Sequence, residues 1–428
     1  MNTLMHYIWE NRILPCEKLS TTSGEQIKVI NTGKLGSKGN IFHNARLIIG
    51  DKEWSGNIVF HEKSSDWERE LRERKSIYDN VILHVTHIDD VDTARRNGEF
   101  IHQLKIEYPE NLASEYSEAA IGTPLKCTST IAAMEKIKLH SNLSRLLIER
   151  IEDKATRIKK LYAECNQRWD DTLFKLLARN FGFGIQSRIF EQWAAILNMQ
   201  ALSKHRDNQI QIEAIFYGQA GLLNEKSIPS YYLQEAKESR YYNELVREYK
   251  FLTSKFKLKS LDSNVWGAGN ASPHLRIARL AKLYTSNKLS LSSIAECNTI
   301  SELRNILQAQ PDGYWRYHLQ FGGTATTGAA PLKNNHLDLL IINTIVPLLY
   351  TYGKHRRQPQ LCSKAEDILY SLSNENNSIT RWWAQNGVCV SCAADTQALI
   401  QLQKEYCNKH RCHECHFAYA YLKEKIRA

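Results

Sequence analysis

The chain has 428 residues, with 56 Lys+Arg against 46 Asp+Glu and a formal net charge of +10. Hydrophobic residues make up 43% and charged residues 24%, with only 20 Gly and 9 Pro, which excludes collagen-like, low-complexity and largely disordered chains. No apolar run reaches about 18 residues, and the start, with Glu10 and no basic segment before an apolar core, reads as neither a membrane span nor a signal peptide.

In chain order, short β-rich runs come first: Gln26–Ile30, Arg46–Ile49, Glu53–Phe60, Val81–Val85 and Gln103–Ile106, with turn formers such as Asn31-Thr32-Gly33 and Gly36-Ser37-Lys38-Gly39 between them. Gly50-Asp51, flanked by alternating residues, predicts a hairpin. The charged stretch Asp66–Ser76 reads as a helix, with Ser65 and Glu68 spaced as a capping box. Beyond Ile131 the apolar period becomes helical, with Leu143, Leu146, Leu147, Ile151, Ile158, Leu161 and Tyr162 on one stripe. Further helices are predicted at Trp169–Asn180, Ser187–Leu197, Asp207–Tyr217, Leu233–Lys255, Arg276–Leu283, Thr299–Gln308 and Leu337–Tyr352, with a loop at Phe321–Ala330. The expected fold class is α+β: a small mixed-sheet domain over 1–125, a large mainly helical domain over 126–385, and a helical tail with a cysteine cluster over 386–428.

The sharpest spacing lies in that tail. Cys389-x2-Cys392 and, fourteen residues on, Cys407-x4-Cys412-x2-Cys415 carry five thiols, with His410, His413 and His416 interleaved. Paired cysteines suit tetrahedral zinc, and the C-x4-C-x2-C run also suits an iron–sulfur cluster, because both favour charged sulfur donors. A structural metal at Cys389, Cys392, Cys407, Cys412 and Cys415 is expected, against plain thiols on a helical tail; five candidates for four places leave the ligand set open. A cytoplasmic, reducing compartment fits ten cysteines used this way.

The stretch GNIFHNARLIIGDKEWSGNIVFHEKSSDW (Gly39–Trp67), then LLARNFGF (Leu176–Phe183), HRDNQIQIEAIFYGQAG (His205–Gly221), RIARLA (Arg276–Ala281), IINTIVPLL (Ile341–Leu349), ENNSITRWW (Glu375–Trp383) and QALIQLQKEYCNKHRCHEC (Gln397–Cys415) together resemble a bacterial family catalogued as domain of unknown function 2851 (DUF2851). The resemblance specifies a family and no reaction. The family pattern reads G-P-D-F-x-N-A, W-x-G-N-V-E-I-H and S-S-D-W-x-x-H-x-H, and its Asp followed by Glu-x-His is similar to the Mg²⁺-binding core of restriction-endonuclease-like (PD-(D/E)XK) nucleases. In such a core, carboxylates hold a cation that positions water at the scissile phosphate. This chain departs from the pattern at the acids. Ile41 stands for the Asp, Val59 for the Glu, and Glu70 and Arg72 for the two later histidines, while His61, Ser64, Ser65, Asp66, Trp67 and His84 remain. Glu62 does not replace the lost Glu, because alternation puts Val59 and His61 on one strand face and Phe60 and Glu62 on the other. Mg²⁺ is not expected, and His61, Asp66 and Glu70 are the residual catalytic candidates. The bland alternative makes Ser64 and Ser65 caps, Trp67 core, and His61 and His84 satisfied strand histidines.

A third cluster, His205, Arg206, Asp207, Asn208 and Gln211 with Glu213, is a candidate binding site or, more simply, polar packing. Arg381-Trp382-Trp383 offers a cation beside stacking surfaces, and the family's Arg-Pro-x-Asn-Phe-Pro stretch is eroded at Gly267–Pro273. The preferred expectation is a non-catalytic, nuclease-like protein associated with DNA or RNA and not with membrane. The alternatives are a metal-dependent nuclease with a shifted site and a helical interaction scaffold with a protein partner or a second copy.

Overall fold

A computed structural model describes residues 3–14, 19–36, 39–73, 78–121, 126–184, 186–266 and 273–427. The chain divides into two compact units, one of residues 1–142, 381–389 and 399–428, the other of residues 143–380 and 390–398. The architecture is α+β, with a mixed sheet near the N-terminus followed by a mainly helical part. Among the described residues, no helix is long and apolar enough to cross a membrane.

In the first unit, α1 (Leu4–Glu10) precedes β1 (Ile27–Asn31), β2 (Lys34–Leu35), β3 (Ile41–Ile49) and β4 (Lys52–Lys63). Then follow α2 (Asp66–Glu73), β5 (Val81–Ile88), β6 (Gln103–Lys105), α3 (Glu110–Ile121) and α4 (Thr128–Ala132). The six-stranded sheet runs β1-β3-β4-β5-β6, with β2 also on β3. β1, β3 and β4 are antiparallel, while β4, β5 and β6 are parallel. The switch follows from the connections. Gly50-Asp51 closes β3 onto β4 as a two-residue hairpin, with Gly50 alone at positive φ (57°), the glycine-first geometry that suits strand twist. A parallel neighbour needs a crossover, and α2 supplies it between β4 and β5. The run predicted at Arg46–Ile49 begins five residues earlier, at Ile41.

The sheet buries both faces. On one, Phe42 and Phe60 pack with His6 of α1, whose ring lies 4.9 Å from Phe60 and 5.8 Å from Phe42. On the other, Ile41, Val59, Trp67, Tyr78, Val81 and Ile101 form one apolar cluster.

The second unit is built of helices. Trp169–Asn180 matches its prediction end to end. Leu233–Lys255 does not: it splits into Ser230–Glu238 and Arg240–Phe256, because Ser239 takes extended backbone and caps the second helix through the Tyr242 N–H. The predicted Phe321–Ala330 loop contributes Gly323–Thr324 to a short ladder with His318–Gln320. Between Asn334–Leu340 and Val346–Arg356 the helix widens into a π-turn at Ile341–Ile345. Pro347 has no N–H for the Asn343 carbonyl, and Asn180 Nδ2 donates to it instead at 2.9 Å.

Candidate functional site

Strand register fixes the surroundings of Ile41 and Val59, which stand where the sequence resemblance predicts acids. Ile41 stands opposite Val59 across the antiparallel β3–β4 pair, and Val59 in turn pairs with His84 on parallel β5. Ile41 is 2% and Val59 0% exposed. Trp67 of α2 covers the same cluster, its ring 4.8 Å from Tyr78 and 5.0 Å from His84, and its indole N–H donates to the Ala94 carbonyl. Two buried aliphatic side chains thus fill these positions, and neither offers an oxygen donor to a hard cation.

Beside this cluster runs a chain of buried polar groups. His61 Nδ1 lies 2.9 Å from His84 Nε2, His84 Nδ1 lies 3.2 Å from Thr93 Oγ1, and the Tyr78 hydroxyl lies 3.3 Å from His61 Nε2. Tyr78 donates its proton to Glu70 Oε2 at 2.8 Å, and Asn40 Nδ2 donates to the same oxygen at 3.0 Å. With both imidazoles held neutral by burial, that donation orders the other protons. The tyrosine oxygen accepts from His61 Nε2–H, His61 Nδ1 accepts from His84 Nε2–H, and His84 Nδ1 accepts from Thr93. Each imidazole then carries one proton. Burial enforces this: it pushes His84 down to about 3, aided by its neighbour His61, and it lowers His61 against the opposing pull of Glu70.

The residual catalytic candidates therefore fall close together but in unequal roles. Glu70 and His61 meet at 3.7 Å, yet Glu70 Oε2 already receives two donors, which suits a structural tie better than a cation ligand. Asp66 pairs with Arg69 at 3.0 Å on the outer side of α2. Ser64 and Ser65 hold the carboxylate of Asp90, each hydroxyl donating to one of its oxygens. The side chain of Arg72 lies outside the described residues. Asn40, Tyr78 and Thr93 complete the network without any local sequence signal: each is brought in from a different connection.

The third cluster is divided among a helix cap, side-chain contacts and one exposed residue. The helix begins at Gln209 rather than Asp207, so Asn208 is its cap, accepting the Gln211 N–H at 3.1 Å, and the two are not surface neighbours on one helix. Arg206 donates to the Tyr284 carbonyl and lies over that ring, His205 sets its ring edge against Phe256, and Gln211 donates to Glu248. Asp207 is exposed. Glu213 turns inward to accept from Tyr241 at 2.7 Å and Gln209 at 2.9 Å. The eroded stretch Gly267–Ser272 lies outside the described residues.

Of the five tail cysteines, Cys389 is exposed, and Cys392, in the second unit, bridges to Ser373. Cys407, Cys412 and Cys415 fall in the first unit, as does Cys127, just before α4. Among the described residues, no three His, Cys, Asp or Glu side chains are grouped so as to hold a metal ion.

No curated protein and no solved structure matches the chain. A family model described as a protein of unknown function (DUF2851) matches residues 2–378 and ends before the Gln397–Cys415 tail that the sequence resemblance included. Ile41, Val59, His61 and His84 all fall within the matched stretch, and the chain belongs to the DUF2851 family.

Proposed function

We propose that this chain is a non-catalytic, nuclease-like protein that associates with nucleic acid in the cytoplasm. The observation that carries the reading is Ile41 facing Val59 across β3 and β4, both sealed from water. The pattern that would hold Mg²⁺ survives as strand positions and has lost its oxygen donors. Association with nucleic acid draws on the net charge of +10 and on Arg381 and Trp382, exposed side by side, Trp382 at 45%. A guanidinium beside an open indole can pair phosphate contact with base stacking.

The test is a titration of labelled single- and double-stranded DNA and RNA at two salt concentrations with Mg²⁺ or Mn²⁺ present. The expected outcome is intact strands and an affinity that falls about tenfold or more when salt is raised fourfold, as release of two counterions requires. Trp382→Ala should weaken that binding. Cleavage abolished by Asp66→Ala would establish a shifted catalytic site instead, and no binding at low salt would leave the interaction scaffold.

A further inference from the structure

We propose that Arg276 and Arg279, with His336 beside them and Lys333 at their edge, form a binding site for a compact oxyanion, a phosphate group. The two arginines belong to the RIARLA stretch, Arg276–Ala281, which the nucleic-acid reading does not use. The site lies within the second unit and holds phosphate whether or not the chain binds DNA or RNA.

Three stretches of chain build it. Arg276 and Arg279 stand three positions apart on the helix His274–Thr285, so they are surface neighbours with about 5–6 Å between Cβ atoms. The Arg276 guanidinium lies over the Phe183 ring at 5.6 Å, and the same ring meets His336 with 5.1 Å between centroids. Arg276 Nη1 donates to Gln186 Oε1 at 2.9 Å and to the Gly182 carbonyl at 3.3 Å. Arg279 is 7% exposed, and its Nη2 donates to the Ala330 carbonyl at 2.5 Å. Three residues beyond Ala330 comes Lys333, exposed, which leads directly into the helix Asn334–Leu340 that carries His336.

These cations lack a counter-charge. Among the described residues neither arginine has an ion pair, and the acids nearest His336 and Gln186 along the chain are held elsewhere: Asp338 accepts from two Arg304 nitrogens at 2.8 Å, and Glu191 pairs with Arg179 at 3.1 Å. Every acceptor named above for Arg276 and Arg279 is a neutral carbonyl or amide oxygen. Arg279 Nη1 is sealed from water and has no hydrogen-bond partner at all. A guanidinium carries five N–H donors and keeps its charge, so a buried one without an anion is uncompensated, and a second on the next turn repels it. Burial accordingly pulls both arginines below their ordinary value, with no acid opposing it. A phosphate dianion answers these deficits together. Its oxygens match planar guanidinium forks in pairs, its charge balances both arginines, and a neutral His336 can add one ring N–H. Arg276 and His336 are half-buried and Lys333 exposed, so the cluster keeps a side towards water.

The experiment follows thermal unfolding and phosphorus NMR of the full chain as inorganic phosphate is added, with ionic strength held constant by sodium chloride. A saturable rise in melting temperature and a broadened phosphate resonance are expected. Arg279→Gln and Arg276→Gln should each weaken phosphate affinity by about tenfold or more, the worth of a hydrogen bond to a charged group. Should neither variant fold, His336→Asn, at a half-buried position, should weaken it about fivefold, one hydrogen bond's net value. Glycerol phosphate separates two sources of the ligand: an equal effect marks the phosphate end of a larger molecule, and no effect marks a site closed around the free ion. No saturable response to inorganic phosphate, an equal response to chloride, or full affinity in the folded arginine variants would each overturn the proposal. Full affinity in His336→Asn would do the same where the arginine variants do not fold.

Discussion

Each compact unit buries one polar knot, and the two are built on opposite charge logic. In the first, His61 and His84 are linked to Thr93, Tyr78 and Glu70, and burial holds both imidazoles neutral. In the second, Glu213 is 4% exposed and accepts from Tyr241 and Gln209, while Trp315 donates to Tyr241 at 2.7 Å. Burial raises Glu213 against the hydrogen bonds from Gln209 and Tyr241, so in both knots burial shifts the balance towards the uncharged form. The same penalty, removal of charge from water, thus gives opposite pH dependence in two parts of one chain. A polar cluster of this kind in a DUF2851 chain does not by itself mark chemistry; what surrounds it decides.

The largest effect should come from restoring an acid where the first knot meets the apolar cluster. Ile41→Asp puts a carboxyl opposite Val59 with no partner, and the first unit should lose about 3–5 kcal/mol, the range for an uncompensated buried charge. Amide hydrogen exchange resolved by unit measures this; a loss below about 1 kcal/mol would mean the site is open to water and the sealed-core reading is wrong.

The second effect is the divergence with pH. His61 and His84 are depressed in the folded state, so their contribution is complete above the ordinary value of 6.5 and is lost as pH falls, that of His84 towards about 3. Between pH 6.5 and 4.5 the first unit should lose up to about 1.4 kcal/mol per pH unit through His84, with a further loss in the same direction from His61. Glu213 is raised, so its contribution is complete below 4.5 and is lost as pH rises through its folded value. Exchange protection in the second unit should therefore decline as pH rises from 4.5, and Glu213→Gln should flatten that trend. Parallel pH trends in both units would break the comparison.

The smallest effect is Tyr78→Phe, which removes the hydroxyl joining His61 to Glu70. It should cost about 0.5–1.5 kcal/mol, one hydrogen bond's net value, and free the proton on His61 Nε2 to reorient. Imidazole nitrogen shifts measured by NMR should then report a changed His61 environment; unchanged shifts would show that the relay direction derived from Tyr78 is incorrect.

Several of these features were legible in the sequence because they depend on near neighbours. Gly50-Asp51 announced its hairpin, since a glycine and two alternating flanks are all such a turn requires. Thr299 and Glu302 form a capping box at the start of Ile300–Leu307, within one residue of the predicted helix. The helix break at Ser239 was not legible: neither Gly nor Pro marks it, and a serine can cap a helix or sit inside one. Tyr78, Thr93 and Asn40 escaped notice for another reason, since nothing local says that polar groups from three separate connections reach one carboxylate oxygen or a buried imidazole.

Sequence alone determined the identities that limit chemistry here: aliphatic residues at 41 and 59, a histidine at 61 on the same strand face as Val59, and a thiol spacing suited to soft metal. Only the tertiary structure decided that Ile41 and Val59 face each other and that His61 bonds His84. The division has a physical cause. Alternation and turn chemistry act over a few residues, whereas register and the meeting of distant side chains are set by which apolar surfaces close together, a property of the packed chain and not of any segment.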